Sequence, residues 1–158
     1  MHLAAPCRSV PVTSTLDLSM SFTVDLIVGP LPTRDKDAWK TIKRLRETYY
    51  EDKREKAPAL LRLHGVLTAK YPCLSSYALN DPAEEDCPWA DGPMLGNFAH
   101  DMGMLAISFR RADELLPFIV EAANALGITV ADGQSERIYR PKSGGPDSTS
   151  KPWWAVWR

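Results

Sequence analysis

The chain has 158 residues, with 19 Lys and Arg against 20 Asp and Glu, a formal net charge of −1, 44% hydrophobic and 25% charged content. That is the size and mixture of one globular domain with a single core, and near-neutrality removes the usual electrostatic case for direct nucleic-acid binding. Charge is nonetheless split: Arg34 to Lys70 carries eleven basic residues against six acids, whereas from Asp81 to Arg137 only Arg110, Arg111 and Arg137 oppose eleven acids. A basic first half and an acidic second half can steer a charged macromolecule; as solvated faces they can also cancel in the folded body.

Three cysteines, Cys7, Cys73 and Cys87, cannot all pair in a monomer and are too few for a disulfide scaffold, so reduced thiols are expected. The first nineteen residues have neither a basic leader nor a sustained apolar run and read as an irregular extension without function. With no apolar span of membrane length, a cytoplasmic protein with no membrane partner is expected.

Ser21 to Val28, SFTVDLIV, has the β-branched and apolar residues of a strand, with Phe22, Val24 and Leu26 on one face and Thr23, Asp25 and Ile27 on the other. Gly29-Pro30-Leu31-Pro32 ends it, and Thr33 or Asp35 is placed to cap the next helix, which should run to about Lys53. Its apolar stripe is Trp39, Ile42, Leu45 and Tyr49. A second helix, about Pro58 to Lys70, opens on proline in a tolerated first-turn position and aligns Leu60, Leu63, Leu67 and Tyr71. The two helices are expected to form a hairpin, with His64 a partly buried core histidine.

After a long connection, Met94 to Ala99 and Gly103 to Phe109 read as short strands. Ala112 to Leu126 is the clearest helix: Asp113 and Glu114 suit its first turn, Gly127 suits the residue after its end, and Leu115, Phe118, Ile119, Ala122 and Leu126 form the buried stripe. Ile128 to Ala131 and Arg137 to Tyr139 are two further strands. The order β-α-α-β-β-α-β-β predicts an α+β fold: a two-layer sandwich with a mainly antiparallel sheet and three helices on one face. Residues 20–141 form the domain, and 142–158 a Gly/Ser/Pro linker with a Trp-rich end. Trp153, Trp154 and Trp157 carry too much aromatic area to leave in water, so they should dock on their own domain or, in a homodimer, on a second copy.

The connection from Tyr71 to Phe98 has neither helical nor strand periodicity, and a long irregular segment in a compact domain is functional or disordered. Tyr71, Leu74, Tyr77, Leu79, Trp89, Met94 and Leu95 make it too apolar for disorder. It reads as an ordered loop with an acidic crest. Glu84, Glu85, Asp86 and Asp91, with Trp89 at their centre and Tyr77 nearby, form a candidate docking patch: an aromatic anchor supplies burial, and carboxylates supply on-rate and register. A solvated acidic loop is the plain alternative. No P-loop, GxGxxG, GxSxG or HExxH motif is present, the cysteines and histidines lack zinc spacing, and the acids lack the ladder of a calcium loop. No enzyme, cofactor or metal is therefore expected.

A short first strand, a helix ending in Tyr71-Pro72, the PWADGP turn from Pro88 to Pro93, and a last helix running into LGITVADGQSERIYRP from Leu126 to Pro141 together resemble small immunity proteins of bacterial polymorphic-toxin and type VI secretion systems. The resemblance spans about Ser21 to Pro141. It implies a protein that binds and neutralises a cognate toxin with a basic surface, through an acidic patch, in the cytoplasm. Two alternatives stand beside it: a small-ligand or enzyme domain with a pocket between the helix hairpin and the central loop, and a homo-oligomeric module built by the Trp-rich end.

Overall fold

The computed structural model describes residues 21–142; the first nineteen residues, Cys7, and Trp153, Trp154 and Trp157 lie outside the described residues. Its elements in order are β1 (Ser21–Ile27), α1 (Asp35–Thr48), α2 (Pro58–Lys70), β2 (Met102–Ser108), α3 (Ala112–Ala125), β3 (Thr129–Asp132) and β4 (Arg137–Tyr139). The strands form one sheet in the order β2-β1-β3-β4 with every neighbouring pair antiparallel. The α+β architecture with a single antiparallel sheet and three helices is as the sequence predicts.

The distribution of the helices differs from expectation. Successive strand residues point to opposite faces, and β1 is central and buried on both: Val24 and Leu26 pack with Leu60, Leu63 and Leu67 of α2 and Leu115, Ile119 and Ala122 of α3, while Ile27 packs with Ile42 of α1. Partners of Ile27's face, Met102 and Ala131, join that second, smaller cluster. So α2 and α3 cover one face and α1 the other, giving three layers instead of two. α1 and α2 consequently form no hairpin. Their connection passes around the end of the sheet, held there by Ala57 N–H on the Ala99 carbonyl at 3.1 Å and by Arg54 on Asp101 at 2.6 Å.

α2 begins and ends as predicted, with Pro58 at its start and Leu60, Leu63 and Leu67 buried. α1 is shorter, because its last expected turn is a separate 3-10 turn, Tyr49–Glu51. Neither Thr33 nor Asp35 caps it: Arg34 stands at the cap with no side-chain bond, and Asp35 and Asp37 sit in the first turn, where the helix dipole favours acids. α3 ends on Gly127 at φ +75, with Gly127 N–H on Asn124 O at 3.1 Å and Ile128 N–H on Ala123 O at 2.9 Å. That pair of bonds is the Schellman ending, which needs the left-handed residue that glycine supplies at least cost.

Met94 to Ala99 is not a strand. Met94–Asn97 is a 3-10 turn, after which Phe98 and Ala99 meet the end of β2 through Phe98–Gly103 bridging and Ala99 N–H on Met102 O at 2.8 Å. Gly103 is required there, since a Cβ would lie 2.7 Å from the Phe98 ring. No helix among the described residues is long and apolar enough to cross a membrane.

Candidate functional site: the loop between the second helix and the second strand

The loop folds as short turns, each closed by its own bonds. Leu74–Ser76 is a 3-10 turn, with Ser76 Oγ donating to Cys73 O at 2.6 Å. Ala78 to Asp81 form a β-turn, closed by Asp81 N–H on Ala78 O at 3.0 Å, with Asn80 at φ +62, a conformation asparagine tolerates better than most residues. Leu79, at its tip, is 92% exposed. Asp81 then caps the 3-10 helix Pro82–Asp86 by accepting from Ala83 N–H at 2.9 Å.

Pro88 to Ala90 return along the free edge of β2. Ser108 N–H donates to Pro88 O at 2.7 Å, Ala90 N–H donates to Ala106 O at 2.9 Å, and Trp89 bridges Ile107. This short pairing covers an edge that would otherwise offer itself to another chain. Asp91 closes the following turn, its two carboxylate oxygens accepting from Gly92 N–H at 2.8 Å and Asn97 Nδ2 at 2.9 Å. Gly92 lies against the first turn of the loop, where a Cβ would be 3.1 Å from the Ser75 nitrogen.

The six predicted contact residues fall into two groups. Glu84, Glu85, Asp86 and Asp91 are exposed, and among the described residues none of the four forms an ion pair. The cation beside them, Arg111, is already used: it donates to the backbone carbonyl of Asp86 at 2.7 Å and pairs with Glu114 at 2.8 Å. Trp89 is the correction. Expected at the centre of the patch, it is 2% exposed and donates its indole N–H to Tyr71 O at 2.9 Å, with its ring edge-on to Tyr71 at 6.3 Å. The indole joins the core because its one polar atom finds a carbonyl there, which removes the cost of burying it. Tyr77 is half-buried, and its hydroxyl is pushed up by burial and then by the neighbouring Cys87.

The cysteines differ in environment. Cys73 is half-buried, with its sulfur taking the Met94 N–H at 3.4 Å and lying 3.3 Å from Ser75 Oγ. Burial pushes this thiol up, but hydrogen bonds from Ser75 and from the amides of Met94, Ser75 and Leu74 outweigh it and leave the thiol below its ordinary value. Cys87 is buried, donates to Pro72 O at 3.8 Å, and is pushed up by burial. His64 is half-buried beside Phe98, its ring held below the usual imidazole range by burial, which fits a core histidine.

A cavity of about 270 Å³ lies away from the loop, bounded by the end of α1, the α1–α2 connection and the turn before β2; Tyr49, Asp52, Arg54, Asp101 and Met102 are among its walls. It includes no residue of the central loop. Three of its polar walls are spent on one another, since Arg54 bonds both Asp52 and Asp101 and holds the Asp52 carboxyl down at about 2. Asp25 is fully buried in the middle of the sheet, and the sole hint of it in the sequence is one acid inside the run VDLIV. Arg46 of α1 bonds its Oδ2 at 2.7 Å, and its Oδ1 has no partner among the described residues. No group of three or more His, Cys, Asp or Glu among the described residues is arranged to hold a metal ion. No family model, curated protein or solved structure matches this chain.

Proposed function

We propose that this protein is a non-enzymatic inhibitor of the immunity type, which binds and neutralises a cognate bacterial toxin in the cytoplasm through the acidic face of its central loop. The observation that carries the reading is that Glu84, Glu85 and Asp86 follow one another in a short 3-10 helix, each exposed and without an ion pair among the described residues. Like charges in consecutive positions repel one another, and a basic partner relieves that repulsion while gaining speed of encounter. Asp91 adds a fourth carboxylate, and Tyr77 a partly exposed ring.

Trp89 takes a different part in this proposal from the one its position in the sequence suggests. It fastens the loop from inside, so that the acids are offered on a framework ordered before binding, which lowers the entropy cost of association. Leu79 and Phe109, both exposed large hydrophobics, supply apolar area at the partner surface. Charge reversal by Glu85→Lys and Asp86→Lys, with affinity for the toxin measured at low salt, tests the assignment. A large loss supports it, and unchanged affinity removes the loop from the interface.

A further inference from the structure

The two ends of the loop touch each other at two points. Tyr71 O meets the Trp89 indole N–H at 2.9 Å, and Pro72 O meets the Cys87 sulfur at 3.8 Å. The carbonyl that the Cys87 sulfur touches belongs to the residue immediately before Cys73, so the two cysteines are neighbours at the base of the loop. A negative charge on Cys73 is also among the influences that raise the Cys87 thiol. The chain enclosed between the two cysteines contains Tyr77, Glu84, Glu85 and Asp86.

We propose that Cys73 and Cys87 are a peroxide-responsive dithiol whose disulfide staples the base of the acidic loop. Their environments divide the work. Cys73 is the partly accessible sulfur, held among amide and hydroxyl donors that favour a thiolate, and so is the attacking atom. Cys87 is the buried thiol that resolves the product. In the first step the Cys73 thiolate displaces one oxygen of a peroxide: the sulfur is oxidised to a sulfenic acid, the O–O bond breaks, and the leaving oxygen departs as an alcohol or water after taking a proton. In the second, the Cys87 sulfur, losing its proton, attacks the Cys73 sulfur; the S–S bond forms, the S–O bond breaks, and water leaves. The Cys73 sulfur now faces Met94 and Ser75, so it must swing toward Cys87, and the backbones must sit at about the 4.4–6.8 Å Cα separation that disulfides require. That the staple would regulate toxin binding rests on the proposed function; the disulfide itself does not.

The test uses the full chain carrying Cys7→Ser, treated with hydrogen peroxide and read by peptide mass mapping without a partner present. The expected result is loss of two hydrogens, loss of both free thiols, one cross-linked peptide pair joining Cys73 to Cys87, and recovery of both thiols on reduction. A Cys87→Ser version is expected to stop at a sulfenic acid on Cys73, trapped by dimedone. Sulfinic acid on Cys73 with Cys87 still a free thiol, or disulfides only between molecules, would overturn the proposal. Loss of toxin binding in the charge-reversed protein with the disulfide still formed would separate the two readings.

Discussion

Trp89 donates its indole N–H to the carbonyl of Tyr71, eighteen residues earlier in the chain, and this bond holds the loop to the helix it leaves. The same Tyr71 is fixed from the other side, its hydroxyl donating to Glu114 of α3 at 2.7 Å and its ring lying under Arg111 and Lys70. The loop is thereby tied to α2, α3 and the edge of β2 together. Trp89→Phe, which keeps most of the ring but leaves the Tyr71 carbonyl unpaired, is expected to cost about 1 to 2 kcal/mol. Trp89→Ala should cost about 3 to 5 kcal/mol because it also opens a cavity. Denaturant unfolding of the three proteins measures both; two equal costs would mean that the ring contributes nothing beyond its hydrogen bond.

Gly103→Ala drives a methyl group into the Phe98 ring and is expected to destabilise by about 1 to 3 kcal/mol, the usual range for overpacking. Phe98→Leu in the same molecule should return part of that loss. A double-mutant cycle on unfolding free energy reads the coupling, and additive effects would contradict the contact.

Asp25 gives a pH dependence whose sign is fixed by burial. Burial raises its carboxyl above 3.8, and the hydrogen bond and charge of Arg46 only partly offset this. Below the unfolded value the group is protonated in both states and costs nothing. As pH rises through 3.8 the unfolded chain ionises first, so the folded state loses relative stability until the folded carboxyl ionises too. Asp25→Asn should therefore gain on the parent protein as pH rises above about 3.8. Arg46→Met leaves the buried carboxylate alone and should cost about 3 kcal/mol near neutrality, at the low end for such pairs because the Arg46 side chain is 41% exposed, with the cost shrinking on acidification. Unfolding midpoints across that pH range decide both.

Asp52 has the opposite sign. The hydrogen bonds of Arg54 lower its carboxyl from 3.8 to about 2, so its contribution is present above 3.8 and lost as pH falls toward 2. Arg54→Gln should remove that acid-sensitive segment of the stability curve, and a curve of unchanged shape would count against the pairing.

What was legible in the chain was what local physics decides. α2 follows from Pro58 and the Leu60-Leu63-Leu67 spacing, and the end of α3 from Gly127, because caps and helical stripes depend on residues a few positions apart. What was hidden depends on distant partners. The sequence cannot say which helix covers which face of β1, since the face of Thr23, Asp25 and Ile27 is mostly polar and reads as solvated, while in the fold Asp25 finds Arg46 twenty-one residues away. Met94 to Phe98 has strand-like apolar content, yet Phe98 is spent on a ring-over-glycine contact with Gly103. In the candidate site, Glu84, Glu85 and Asp86 lie on the surface as their charge suggested, while Trp89 is turned inward by a carbonyl that no local pattern announces.

The most direct test of the proposed inhibitor is its affinity for the product of the neighbouring gene, measured for the parent chain and for Glu85→Lys with Asp86→Lys at low and high salt, with circular dichroism confirming that both are folded. The proposal predicts tight binding that weakens steeply with salt and falls at least tenfold, about 1.4 kcal/mol, on charge reversal. Equal affinities at low salt, with no salt dependence in either protein, would contradict it.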